Sequence, residues 1–210
     1  MNNSLQEYLN FANKLADAAG ITSMEYFRTS LSIDNKSDES PVTIADKNTE
    51  LKIRSLIENE YPDHGILGEE FDSVNPDAEF IWVIDPIDGT RSYIAGHKDF
   101  GNLISLTQNK KPIIGIINCP AHDERWVGAK NQSSTVNQQT VNTSSVTAIE
   151  DAYIFTSGLY FDEPHLRNAV DKIKNKVRYF RYGGDCYMYG MVASGLIDIV
   201  IEDTLKVHDY

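Results

Sequence analysis

The chain has 210 residues, 41% hydrophobic and 24% charged, an ordinary soluble balance and enough for one substantial domain or two closely packed lobes. Its net charge of −12 argues against a nucleic-acid or anionic-membrane partner, so any anion must be held locally, by a metal or a helix N-terminus. The longest apolar runs are of strand length, far short of the roughly 20 residues that span a bilayer.

The start, MNNSLQEYLNFANKLA, lacks a basic n-region and a continuous apolar stretch, so no signal peptide is expected and the expected location is cytoplasmic. Leu5, Leu9, Ala12, Leu15, Ala16 and Ala19 repeat at helical spacing, with Gly20 as the expected stop. SPVTIADKNTELKIRSLIENEYPDHG reads as an extended entry and a second helix, capped by Thr43-x-x-Asp46 and closed by Pro62 and Gly65. Short strands follow in GILGEE, FIWVID, FGNLISLTQ, KPIIGIIN and ERWVGAK, and the tight polar turns between such strands predict antiparallel pairing.

Residues 131–148 are rich in Ser, Thr, Asn and Gln and read as an exposed linker between an N-terminal α+β lobe (1–130) and a C-terminal α/β lobe (131–210). Beyond it come a strand in AYIFTSG and a helix capped by Asp162 with Pro164 in its first turn. The strand VRYFRY, Gly183-Gly184, a helix through Ser194 with a stop at Gly195, and the strand IDIVIE complete the chain. Cys119 and Cys186 are far apart in sequence and without CxxC spacing, so they predict buried free thiols rather than a disulfide framework or a zinc site.

The stretch WVIDPIDGTRSYIAG carries the chemistry. An apolar strand runs into Asp85-Pro86-Ile87-Asp88-Gly89-Thr90. As a turn it is bland. As a site it sets Asp85 at the strand end and Asp88 one turn later, so that two carboxylates and the Ile87 carbonyl can converge on a hard divalent cation. Gly89 permits close backbone approach, and the following amides can open a helix toward an anion. Further acids are available at Glu69 and Glu70, at Asp46 and at Asp209, each with an ordinary structural explanation when taken singly.

Together, SPVTIADK, GILGEE, WVIDPIDGTRSYIAG and GLIDIVIEDTLKVHDY resemble, in order and spacing, the signatures of the inositol monophosphatase superfamily. The resemblance covers residues 30 to 210. It implies Mg²⁺-dependent phosphomonoesterase activity on a small phosphorylated metabolite. The implied fold is an α/β (α+β type) layered αβαβα sandwich of the inositol monophosphatase / fructose-1,6-bisphosphatase type, assembled as a homodimer. Carried over by position, Glu69, Asp85 and the Ile87 carbonyl hold one Mg²⁺, and Asp85, Asp88 and Asp209 a second; two or three ions are implied per site. Asp46 and Thr90, with Glu69, form the implied catalytic set, in which Asp46 and Thr90 orient the attacking water. Glu69, Ile87, Asp88, Gly89, Thr90, Asp185, Glu202 and Asp209 form the implied substrate-binding set.

Within that superfamily, RSYIAG, ERWVG, RYGGDCYMYGMVASG and the ending HDY resemble the histidinol-phosphatase branch. Asp185 stands where inositol phosphatases carry a small residue facing the alcohol part of the substrate, and a carboxylate there suits an ammonium-bearing ester. The alternative for Asp185 is a helix cap after Gly183-Gly184. Glu202 is a second expected substrate contact, while Arg91 and Arg181 suit phosphate or surface pairing equally. An inositol-phosphate phosphatase and a metal-binding relative without turnover stay open as alternatives. The family pattern continues for some tens of residues beyond its last metal aspartate, whereas this sequence stops at Tyr210, one residue after Asp209.

Overall fold

The computed structural model describes residues 4–30, 33–35, 41–158, 163–203 and 205–208. Helix α1 (Leu5–Tyr26) opens on a capping box in which Ser4 Oγ accepts from the Glu7 amide and Glu7 returns the bond to the Ser4 amide. Its expected apolar stripe is buried from Ala12 to Ala19, but Gly20 does not end the helix. A Cβ there would lie 3.0 Å from Asn118 Nδ2 and 3.4 Å from Pro120 Cβ, so glycine serves close helix–sheet approach rather than termination. Packing overrides the 0.5–1 kcal/mol or so that a mid-helix glycine costs.

A two-strand pair, β1 (Ile33–Asn35) with β2 (Pro41–Thr43), leads into α2 (Ile44–Glu60), which begins at the expected Thr43 cap. Next come β3 (Gly65–Gly68), β4 (Phe80–Asp88), the short α3 (Thr90–Ile94), β5 (Gly101–Gln108), β6 (Lys111–Cys119) and β7 (Glu124–Ala129). β4 to β7 form the expected antiparallel ladder, and Asn109 and Lys110, both at positive φ, make the two-residue turn between β5 and β6. β3 departs from the expectation, because it pairs with β4 in parallel. The connection between them is a long excursion through residues 69–79, returned by an Ile66–Val74 bridge, and such a link permits parallel strands where a tight turn does not.

The polar segment after β7 is a second departure. β8 (Thr135–Val136) and β9 (Gln139–Thr140) form a hairpin that extends the large sheet to seven strands, ordered β3-β4-β5-β6-β7-β8-β9. Asn137 pins it, accepting from the Arg125 amide and donating to the Asp123 carbonyl. The composition reads as linker because most of the hairpin is polar and held by turn chemistry and backbone bonds; of its apolar side chains, Val136 packs against the Trp126 cluster.

After an exposed stretch, β10 (Tyr153–Thr156), α4 (Pro164–Lys174), β11 (Tyr179–Tyr182), α5 (Tyr187–Ala193) and β12 (Ile199–Val200) complete the described chain. The three strands form a parallel sheet ordered β11-β10-β12. Glu163 is the N-cap of α4, with Pro164 in the first turn; the expected cap, Asp162, lies outside the described residues. Gly195, at φ 68°, follows α5 as expected.

α1 and α2 cover one face of the large sheet, where Trp82, Ile84, Ile104, Leu106, Ile114 and Ile116 pair across neighbouring strands and bury against Leu15, Ile53 and Ile57. α5 lies between the two sheets, touching β6 and β12. Lys174 of α4 reaches over the rings of Phe180 and Tyr182 on β11. The result is a mixed α/β stack with a central sheet and helices.

At one end of the main core, Trp82 Nε1 donates to His64 Nδ1 (3.1 Å), and the His64 ring stacks on Tyr61 and Phe80. Burial lowers the His64 pKa below its usual 6.5, against the smaller upward pull of Asp63 and Glu79. The native state therefore binds less proton than the unfolded one, and stability present above pH 6.5 drains away as pH falls through the lowered native value. Thermal melts between pH 7.5 and 5 should show a falling Tm for the wild type and a flatter profile for His64→Phe, which is less stable at neutral pH for want of the Trp82 acceptor. Parallel profiles would place the titration elsewhere.

Candidate active site

The ladder between β4 and β5 pairs Asp85 with Leu103 and next pairs Asp88 with Gly101, leaving Pro86 and Ile87 out of register. The strand thus runs on through Asp88 instead of ending at Asp85. Proline has no amide hydrogen to give a ladder, so the break falls there and side chains take over. Asp85 Oδ1 accepts from the Ile87 amide (3.0 Å), and Asn102 Nδ2 donates to the Pro86 carbonyl (2.7 Å). Asn118 Nδ2 donates to Asn102 Oδ1 (2.8 Å), locking that buried amide. The Ile87 side chain anchors the bulge in a second apolar cluster with Ala45, Tyr93 and Phe100.

Gly89 follows at φ 78° as N-cap of α3. A Cβ there would fall 2.9 Å from Asp185 Cβ, so both conformation and contact require glycine. Thr90 Oγ1 lies 3.1 Å from the Ile87 carbonyl oxygen and 3.4 Å from Asp46 Oδ1. Asp46, fully buried in the first turn of α2, reaches both the helix cap and Thr90. Its Oδ2 accepts from the Thr43 amide (2.8 Å) and hydroxyl (2.6 Å), completing the capping box, while Oδ1 faces Thr90. Burial pushes its carboxyl upward from the ordinary range, and the Thr43 bonds oppose that.

Glu69 stands immediately after β3. One ligand atom each from Glu69, Asp85 and His208 lie within 4.8 Å of one another, and His208 Nε2 is 3.9 Å from Glu69 Oε1. Two carboxylates drawn together, with Asp85 only 2% exposed, form a donor set of a kind that can hold a divalent cation. His208 is not among the expected ligands, although it belongs to the HDY ending of the resemblance; Asp209 beside it lies outside the described residues. Asp88 does not join this trio. Its Oδ2 accepts from the Cys186 amide (2.7 Å) and so ties the bulge to the start of α5.

Asp185 is not a side-chain cap. The N-cap of α5 is Cys186, with no side-chain bond, while Asp185 sits at φ 40° and its Oδ2 accepts from Ser92 Oγ (2.5 Å) across 93 positions. Burial raises its pKa; the Ser92 bond, His97 and Arg91 pull it down, and Asp99 adds to the rise. Ser92, unremarkable in sequence, thus orients the carboxylate expected to read the substrate. Glu202 accepts from the Ser157 amide (2.6 Å) and hydroxyl (2.5 Å) at the end of β10, a fixed orientation within the small sheet. Arg181 lies over the Phe155 ring.

Cys119 and Cys186 are free and buried as expected, yet adjacent in space. A Cβ on Gly101 would meet both sulfurs, at 3.2 and 2.5 Å.

This chain belongs to the inositol monophosphatase family, whose pattern matches residues 4–210. Its structure superposes on an inositol monophosphatase from Zymomonas mobilis with a TM-score of 0.88 at 41% identity, covering 100% of this chain and 81% of the other. A histidinol-phosphatase of Chlorobaculum parvum is 35% identical over 96% of this chain and 78% of its own length. A chloroplastic bifunctional phosphatase of Arabidopsis thaliana is 39% identical over 98% of this chain, which spans 60% of that relative's length. No helix among the described residues is long and apolar enough to cross a membrane.

Proposed function

We propose that the chain is a Mg²⁺-dependent phosphomonoesterase acting on a small amine-bearing phosphate ester, L-histidinol phosphate, to give L-histidinol and phosphate. Glu69, Asp85, the Ile87 carbonyl and Asp88 would hold Mg²⁺ together with Asp209. Bound there, the metal would supply Lewis acidity toward the phosphoryl group and the attacking water.

The rest is the work of this chain's own atoms. Thr90 has one hydroxyl proton and two acceptors within reach, Ile87 O and Asp46 Oδ1. With the hydroxyl turned to Asp46 Oδ1, a lone pair on Thr90 Oγ1 would take a proton from the attacking water as its own proton passes to Asp46. Asp46, pinned by Thr43 and raised by burial, is placed to take up the proton that Thr90 relays. The backbone amides of Gly89 and Thr90 would meet the phosphate oxygens, in a turn where a side chain on residue 89 would collide with Asp185.

The observation that carries the substrate is Asp185. It is packed on Gly89, oriented by Ser92, and therefore presents a carboxylate beside the turn proposed for the phosphate. A substrate whose leaving group bears an ammonium matches that charge, and an inositol, with neutral hydroxyls, does not. Relatives named histidinol-phosphatases support the same choice. The likeness to the Zymomonas mobilis inositol monophosphatase favours inositol 1-phosphate as the second reading.

Three outcomes test this. Asp85→Asn and excess chelator should each abolish phosphate release while far-UV circular dichroism is preserved; turnover surviving chelation would remove metal from the reaction. Thr90→Ala should lower kcat roughly 10²-fold with little change in the Mg²⁺ concentration for half-maximal rate. The reverse pattern would make Thr90 a support for the turn only. Asp185→Asn should cost histidinol phosphate about one to two decades in kcat/KM, the worth of a charge-assisted hydrogen bond, and p-nitrophenyl phosphate much less. Equal losses on the two esters, or a wild-type preference for inositol 1-phosphate, would overturn the amine-reading role.

A further inference from the structure

We infer that Glu50 and Arg54 are positioning residues for the metal site, acting through the backbone on either side of Glu69; this rests on the reading of Glu69 as a metal ligand. Both lie on α2, one and two turns beyond Asp46 on the same face, and both are buried, Glu50 completely and Arg54 to 6% exposure. Arg54 Nε donates to Glu50 Oε1 (2.7 Å). Both side chains also bind one loop. Glu50 Oε2 accepts from the Glu70 amide (2.8 Å), Arg54 Nη2 donates to the Phe71 carbonyl (3.0 Å), and the guanidinium lies over the Phe71 ring.

On the other side of Glu69, the backbone of Gly68 passes so close that a Cβ there would overlap the Glu50 carboxylate and crowd Arg54 Nη2 at 2.9 Å. Residues 68, 70 and 71 are thus fixed against one buried ion pair, and residue 69 is the one whose side chain meets Asp85.

As a stability device this is a poor choice. A buried carboxylate–guanidinium pair carries a desolvation cost that apolar residues of the same volume escape. What apolar residues could not do is bind the Glu70 amide and the Phe71 carbonyl while packing on Gly68, and so hold the Glu69 side chain between them to one direction. Groups that orient metal ligands from behind typically change affinity 10–100-fold when removed. By this geometry α2 sets both the proton-accepting Asp46 and the metal-facing Glu69 from a single rigid rod.

The test is direct Mn²⁺ binding, followed by electron paramagnetic resonance of the free ion without substrate, alongside the Mg²⁺ activation curve. Glu50→Gln keeps an acceptor for the Glu70 amide but sets an amide donor against Arg54. Arg54→Gln removes the fork. Each should weaken Mn²⁺ binding by about tenfold or more and move the Mg²⁺ activation curve by a similar factor, with a smaller loss of kcat at saturating Mg²⁺. Arg54→Lys keeps the charge without the two-armed reach and should fall between. If a glutamine variant lacks a cooperative melt, Arg54→Lys, measured well below its own Tm, decides the matter. Variants that melt earlier yet bind Mn²⁺ as tightly as wild type would reduce the pair to a structural role. Wild-type protein that binds no Mn²⁺, or Glu69→Gln that binds it undiminished, would instead defeat the assignment of Glu69 as a ligand.

Discussion

Pro86 cannot donate a ladder hydrogen bond, and the shape of the site follows from how the chain absorbs that missing donor. β4 is held in register up to Asp85 and again at Asp88, so the two residues between must bulge. Their polar groups are answered by side chains instead of by β5: the Ile87 amide by Asp85, the Pro86 carbonyl by Asn102, the Ile87 carbonyl by Thr90. A regular strand would send Asp85 and Asp88 to opposite faces, since their separation is odd. The bulge removes that constraint, with the buried Ile87 side chain as its anchor: Asp85 comes near Glu69 and His208, while Asp88 reaches the Cys186 amide.

Helix α2 is the second fixed element. Its inward face carries Asp46, Glu50 and Arg54 at four-residue spacing, a buried charged stripe on a helix that otherwise packs Ile53 and Ile57 into the main core. Each charge is matched: Asp46 by Thr43, Glu50 by Arg54 and the Glu70 amide, Arg54 also by the Phe71 carbonyl. Matching is what makes burial tolerable, because an unpaired ion at these depths would cost several kcal/mol. The apolar half of α2 binds the helix to the sheet, and the charged half conveys that rigidity to the loops.

The third element is the seam between the large and small sheets. Cys186 donates its amide to Asp88, Ser92 of α3 holds Asp185, and the two thiols close around Gly101, whose strand partner is Asp88. The proposed phosphate turn and the carboxylate proposed to read the substrate therefore come from segments about a hundred residues apart, locked by backbone approach that only glycine at 89 and 101 allows. Among the described residues, the proposed metal ligands sit on or beside the large sheet, and the proposed substrate-reading carboxylate comes from the α5 side.

The amino-acid sequence by itself determined what depends on near neighbours. The α1 stripe, the Thr43–Asp46 capping box and the Asp-Pro-x-Asp-Gly-Thr stretch are legible because spacing and turn chemistry act over a few residues. The same stretch, with the acids at 46 and 69, was enough to point to the family. Tertiary structure decided the rest. Gly20 looks like a stop until Asn118 and Pro120 are seen to press on it. β3 lies parallel to β4 because its excursion returns over the sheet, and the polar 135–140 segment is a hairpin because β7 offers an edge. Thr90 meeting Asp46, Ser92 meeting Asp185, and Glu50 meeting the Glu70 amide join positions 44, 93 and 20 apart. No local periodicity encodes those distances. They are set by how two helices and two sheets stack, which is settled by burying their apolar faces and not by the residues that come to touch.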